Sequence, residues 1–553
     1  MIINLGLVGF SWKGEYSSSA TYTKNDIVEY KGTSYIVLAV SIVGTEPVEG
    51  SDFAVFAEGT SRIAGNDGEM LYYTGSTVQT LPAGSVGQTL VVDQNNFPAW
   101  SNSSTRSGMK AKSIMDSKAT YRRGFAVMTD GTMRPWGRGE NWVLGQGSNT
   151  HDRSYPITVG FPPDAAPVKE GHFSHNDCAW AITEDGKLWV WGNNNHGDVG
   201  SNNTSDTYTP YCASEGAHNS IYGKTVIQVA KYHSGDSYLC TLALCSDGTV
   251  HSAGYNGHGQ LGLGDTTQRS YFSQLPLLSD IVKIAGGSER YTSHYALKAD
   301  GTMYSWGHGG EGRLGQGNTT QYNIATALPY FTSNGISIRD IGAGANMAWA
   351  IDTNDNLYTW GYNGYGNLGN GSTANRTSPV LVLTDVKDCE MSNYRNSYNY
   401  TMAIKNDGTV WAAGDNSYGC LGVSADVGDR SVFAQCMRDA STPLTNIVKV
   451  RIGGSGSYNY TIALDGEGIA YSVGYSANGQ LGRGTWNTTN YYFKPVRLHR
   501  HRVADISVFG AGSEGATMFL TEAGHVYVTG YAGESQLPED DDESASCPFQ
   551  VIF

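Results

Sequence analysis

The stretch Ala296 to Gly315, ALKADGTMYSWGHGGEGRLG, recurs with small changes eight times between residue 111 and the C-terminus, and nothing else in the chain constrains the fold as strongly. A short alternating run leads into an Asp-Gly pair, then a second alternating run ending in Trp306, then Gly307. Period-two alternation split by Asp-Gly is the pattern of a β-hairpin. Asp300-Gly301 predicts a two-residue type I′ turn, in which both central residues take positive φ.

The spacing carries more weight than the composition. Turn and strand-end glycines stand six residues apart in the pairs Gly131/Gly137, Gly186/Gly192, Gly248/Gly254, Gly301/Gly307, Gly408/Gly414, Gly468/Gly474 and Gly524/Gly530, with Asp355 in the turn slot before Gly361. Eight residues after each second glycine comes another, at Gly145, Gly200, Gly262, Gly315, Gly369, Gly422 and Gly482, replaced by Pro538 in the last copy. An aliphatic residue precedes each of these positions, from Leu144 and Val199 to Leu537. The period of 53 to 62 residues marks units that bury their faces against one another. All-β units of this length, rich in Gly and aromatics, favour a four-stranded propeller blade. The expected fold is therefore all-β, with a C-terminal β-propeller over 111–553. Eight blades are expected, or seven if one period contributes strands across the closure.

The segments WGNNNHGDVG, GYNGHGQLGLGDTT and WGYNGYGNLGNGST resemble the repeat of the regulator of chromosome condensation propeller family, whose blades end Trp-Gly-x-Asn-x-x-Gly-x-Leu-Gly. The resemblance implies a binding platform, and a count of eight departs from the family's usual seven blades. Fold alone confers no activity.

Two further segments precede the propeller. Residues 1–60 hold Trp12, Tyr16, Tyr22, Tyr30 and Tyr35 among turn formers, and Tyr22, Asp26, Val28, Tyr30, Gly32 and Tyr35 match in register the pattern of small chitin-binding-type carbohydrate-binding modules. That resemblance implies Trp12, Tyr30 and Tyr35 as sugar contacts, against the plainer reading that they form the core of a very small domain. Residues 61–110 are a Gly/Ser/Thr-rich connector with one short strand expected at Thr89 to Val92. Within it, LPAGSVGQTLVVDQNNFPAW is similar to segments of bacteriophage tail-fibre and other virion proteins, which implies a homotrimer; an ordinary interdomain linker is the alternative.

The net charge of −15 argues against nucleic-acid binding, which needs a basic footprint. The cysteines at 178, 212, 240, 245, 389, 420, 436 and 547 include no Cys-x-x-Cys pair and read as buried reduced thiols. The N-terminus lacks the basic region and apolar length of a signal peptide, and no stretch is long enough to insert in a membrane. No nucleophile elbow, zinc helix or phosphate loop is present, so no catalytic residue, metal or cofactor is expected. The acidic run Glu539 to Glu543 reads as a solvated loop, because a calcium loop needs spaced ligands and a positioning glycine. The basic cluster RLHRHRV, Arg497 to Val503, reads as an interblade loop.

Candidate ligand contacts on the propeller are Asn194, His196, Tyr255, His258, Tyr362, Tyr365 and Tyr418, because Asn, Tyr and His gather in what read as variable loops between blades. Taken together, these features lead to the expectation of a bacteriophage fibre or spike, made in the host cytoplasm and located in the virion. It would hold other virion proteins through its N-terminal part and a host surface glycan or protein through its propeller. The alternatives are a capsid or neck decoration protein, a polysaccharide-degrading enzyme and a cellular protein-binding regulator.

Overall fold

The protein is described by a computed structural model that covers residues 109–553 apart from 115–122, 148–151, 175–177, 231–238, 288–291, 394–397, 425–427, 455–457, 499–500, 511–513 and 532–544. Of residues 1–108 it describes the backbone of ten strands and a few residues around Tyr22. The chain forms two compact units, Met1–Met109 and Lys110–Phe553.

In the first unit, Ser11–Glu15, Asp26–Tyr30, Thr33–Val37 and Phe53–Ala57 form one sheet in that order, with the first pair parallel. Tyr22 is buried, and its hydroxyl accepts the Ser17 amide at 2.7 Å. Trp12, Tyr30 and Tyr35 lie on strands, and their side chains fall outside the described residues. Residues 70–102 hold two hairpins, Met70–Thr74 with Thr77–Leu81 and Gln88–Val92 with Pro98–Asn102, where a single strand was expected. Runs such as MLYYT and TVQTL are β-branched and aromatic enough to pair once a turn brings them together.

The second unit is a propeller of eight antiparallel blades, spanning 111–137, 168–212, 226–274, 281–327, 338–383, 386–435, 447–495 and 503–550. Seven blades have four strands, and the first has three. Beside that blade, Arg153, Ile157 and Val159 hydrogen-bond to its outer strand, so the fourth position is filled by irregular chain. No blade mixes strands from the two ends of the unit, because the last is built from 503–550 and the first from 111–137. Helix is limited, among the described residues, to Pro329–Asn334 and three short 3-10 turns.

The Asp-Gly hairpins differ from the type I′ expectation. In the fourth blade Gly301 N donates to Lys298 O, and Lys298 N donates to Thr302 O, both at 2.9 Å. That is a three-residue loop with its glycine alone at positive φ, +86°, a type I turn followed by a bulge. Asp300 stays at negative φ because its carboxylate accepts the Thr302 amide at 2.9 Å, and Asp130, Asp247 and Asp407 repeat this contact two residues on. Where the glycine is absent, Asp355 itself takes φ +63°.

Those turns join the ring. The first residue of each innermost strand donates its amide to the turn carbonyl of the preceding blade: Val168 to Gly131, Val226 to Gly186, Ile281 to Gly248, Ile338 to Gly301, Val386 to Asp355, Ile447 to Gly408 and Val503 to Gly468. Ala111 to Gly524, at 2.9 Å, closes the circle with the same bond. A bulge at the start of every innermost strand leaves that amide free to turn toward its neighbour.

The core lies between the blades. Trp191, Trp306 and Trp360 are fully buried, and their indole N–H groups donate to Val143 O, Gln260 O and Arg313 O of the preceding blade at 2.7, 3.0 and 2.8 Å. Each ring presses on the third repeat glycine of that blade, where a Cβ on Gly315 would stand 2.9 Å from Trp360 Nε1. Blades that replace this Trp with Ala253, Ala413 or Val473 put Phe272, Phe433 or Phe493 of their outer strand over Gly200, Gly369 or Gly422 instead. A fully buried aromatic ring contributes about 3–5 kcal/mol by truncation, so these interfaces hold the ring together.

Candidate functional site

In every blade the third strand runs away from the hairpin turn that joins it to the second, so its terminal glycine and the loop to the fourth strand lie at the opposite end. These loops share one frame. Asn194, Asn256 and Asn363, each two residues after the terminal glycine, are fully buried. The Asn363 carbonyl oxygen accepts Leu368 N at 2.9 Å, and its amide nitrogen donates to Asn370 Oδ1, Ser372 O and Ala374 O. Asn194 and Asn256 repeat the pattern on their own loops. Asn194 is therefore a loop staple and not a ligand contact, since both ends of its amide are satisfied internally.

The staple fixes what the loop displays. Numbering from the terminal glycine, the residue four on in one blade meets the residue one on in the next. His196 packs edge to face on Tyr255 with ring centroids 5.1 Å apart, His258 on His308 at 5.2 Å, and Tyr418 tilts against Tyr475 at 5.6 Å. His196 Nδ1 and His258 Nδ1 also stand 3.1 and 3.2 Å from Gln268 Oε1 and Gln321 Oε1. At the next interface Glu311 and Tyr365 adjoin Tyr362; burial first, and then these neighbours, push its phenol above the ordinary range.

The belt is widest over blades five to seven. Tyr365 stacks on Tyr398 at 5.8 Å and 21°, Tyr398 meets Tyr418 at 6.4 Å, Tyr418 meets Tyr475, and Tyr475 meets Tyr458 at 5.8 Å. All five rings are half-buried. Tyr398 and Tyr458 come from the connections between first and second strands, and Tyr398 holds φ +56° with its carbonyl anchored by Asn459 Nδ2 at 2.8 Å. A bulky residue in that region costs roughly 1–3 kcal/mol and persists only where its surroundings enforce it.

The expected contacts His196, Tyr255, His258, Tyr362, Tyr365 and Tyr418 thus fall on one face and in one belt. Sequence reasoning missed His308, Tyr398, Tyr458 and Tyr475. His308 and Tyr475 could have been found by their place directly after the strand-end glycine, as with Tyr255 and Tyr362. Tyr398 and Tyr458 sit in irregular loops outside the repeat frame and carry no such signal.

The ring of eight antiparallel blades makes this unit an all-β propeller. The chain belongs to the RCC1-like domain family, whose model matches residues 176–515. It is 27% identical over 366 residues to the ultraviolet-B receptor UVR8 of Arabidopsis thaliana, covering 65% of this chain and 76% of the receptor. It is 26% identical over 369 residues to the human regulator of chromosome condensation, covering 63% of this chain and 81% of that protein. The human E3 ubiquitin-protein ligase HERC2 is 32% identical over 301 residues, 53% of this chain but 6% of that protein. The crystal structure of human WBSCR16 superposes with a TM-score of 0.50 at 18% identity, over 68% of this chain and 96% of that one.

These relatives correct the functional expectation. They are cellular proteins of plants and animals, and none of them is a fibre. The reading as a bacteriophage fibre or decoration protein is overturned, and so are the virion location, the trimeric virion assembly and the host-glycan partner. The connector motif misled because a short Gly- and Pro-punctuated stretch recurs wherever a strand follows a turn.

Proposed function

We propose that this chain is a non-catalytic, protein-binding propeller of the cellular regulator kind, engaging its partner through the face that carries the aromatic belt. The observation that supports it most is the unbroken series of half-buried tyrosines from Tyr365 to Tyr458, with the loops of Tyr365 and Tyr418 stapled by buried Asn363 and Asn416. Large rings fixed before binding lose little conformational freedom on contact, which is why Tyr is enriched at binding hot spots. The relatives fit this reading: one is named a receptor and another a regulator, and yeast RCC1 (Prp20) has been crystallised with Kap60 bound.

The test is affinity purification from the native cell of the full chain, of the Tyr365→Ala/Tyr418→Ala/Tyr475→Ala variant, and of a variant altered at the opposite end, Ile227→Ser/Val282→Ser. The belt variant should lose the wild-type partner while the second keeps it. Loss only with the second variant, or with neither, would refute the assignment of the face.

A further inference from the structure

We propose that the arc Tyr365, Tyr398, Tyr418, Tyr475 and Tyr458 is a docking track for an extended, arginine-bearing segment of a partner protein, with guanidinium groups stacking on the tyrosine faces. This rests on the belt being the partner-binding face and goes further by naming the chemistry of what binds.

Three observations point to that occupant. The rings carry no cation of their own: the cation–π contacts formed elsewhere pair Lys283 with Trp349, Lys405 with Trp411 and Arg438 with Tyr471, and among the described residues none involves a ring of the arc. The charge is complementary. The chain carries −15 overall, and the exposed carboxylate of Asp429 stands in the loop that presents Tyr418, where it accepts the Asn416 amide at 3.2 Å. Such a field raises the local concentration of a cationic segment. The basic side chain at that loop, Arg430, is turned to Ser424 Oγ at 3.2 Å.

The dimensions suit a strand-like peptide. Successive centroids are 5.6 to 6.4 Å apart, which limits the arc to about 24 Å, the reach of roughly seven extended residues. Neighbouring rings differ in plane by 21° to 60°, so an approaching side chain meets both faces and edges. Arginine suits such a surface better than lysine, because its planar, weakly hydrated guanidinium stacks while an ammonium stays solvated.

The experiment is fluorescence anisotropy with the full chain and labelled twelve-residue peptides of alternating Arg and Ser, the same with Lys, and the same with Glu. The Arg peptide should bind at least about five-fold tighter than the Lys peptide, and the Glu peptide should not bind. Tyr418→Ala/Tyr475→Ala should weaken the Arg peptide about ten-fold or more, while Tyr418→Phe/Tyr475→Phe should retain it, since the ring face and not the hydroxyl does the binding. Equal binding of Arg and Lys peptides, unchanged binding by the Ala variant, or absence of Arg-peptide binding would each overturn the proposal. So would tighter binding of a neutral oligosaccharide or single-stranded RNA. Should the Ala substitutions abolish capture of the native partner while no Arg peptide binds, the partner-binding face stands and only the chemistry of the occupant falls.

Discussion

The amide of Ala111 donates to the carbonyl oxygen of Gly524 at 2.9 Å, joining the first innermost strand to the Ala523-Gly524 turn of the last blade by the same bond that links every other pair of blades. Gly524 holds φ +81°, and a Cβ there would stand 2.6 Å from Lys110 Cβ. Gly524→Val should therefore strain the turn and pry the closure apart, lowering stability by about 1–3 kcal/mol. A thermal melt of the full chain checks this, with the exposed Gly223→Val, open around its Cβ position, as the comparison for φ strain alone.

Trp306→Phe removes the indole donor facing Gln260 O while keeping most of the apolar area. It should cost about 1–3 kcal/mol for the orphaned carbonyl, and Trp306→Ala about 3–5 kcal/mol. Chemical denaturation separates the two values.

Asn363→Ala should release Leu368 N and three acceptors at once while leaving Tyr362 and Tyr365 in the sequence. The expected result is faster hydrogen exchange over residues 362–375, a loss of about 2–4 kcal/mol, and weaker partner binding without any change in a contacting ring.

Two buried histidines make stability depend on acid. Burial first, and then the nearby Lys224, depresses His251 to about 4; burial depresses His294, beside Cys240 Sγ, to about 3. Between these values and the ordinary value of 6.5, the unfolded chain binds protons that the folded chain refuses. Their contribution is complete above about 6.5 and is lost as pH falls toward 4 and 3. Melting temperature should fall across that window, and His294→Gln should flatten the slope even if it lowers the plateau. An unchanged slope would show that carboxylates dominate the acid response.

All eight cysteines are thiols outside any disulfide; seven are buried, and Cys547 is half-buried. Burial pushes the thiols of Cys212 and Cys245 up to about 11 and 12, suppressing the reactive thiolate. Iodoacetamide on the native chain should label Cys547 first, and the others only on unfolding, as read by peptide mass spectrometry.

Much of this was legible because the repeat is a local code. Spaced glycines give the hairpins, the strand ends and the blade count, since each marks a backbone position where a side chain meets the next blade. The turn type was not legible: Asp-Gly suits both a type I′ turn and a bulged type I turn, and the Asp300 contact with Thr302 decides between them. The partner class was misread from a short connector motif, whose residues serve many turns.

The sequence by itself determined the all-β class, the propeller and the near-constant blade frame. Only the tertiary structure decided that Asn194 is buried while Asn195 beside it is exposed. It also brought Tyr398 and Tyr458, from irregular loops, into line with Tyr418 and Tyr475 of other blades. The physical reason is that periodicity reports each residue's place within one blade, whereas the arc is formed between blades, by loop conformations such as the positive φ of Tyr398 that neighbouring units impose.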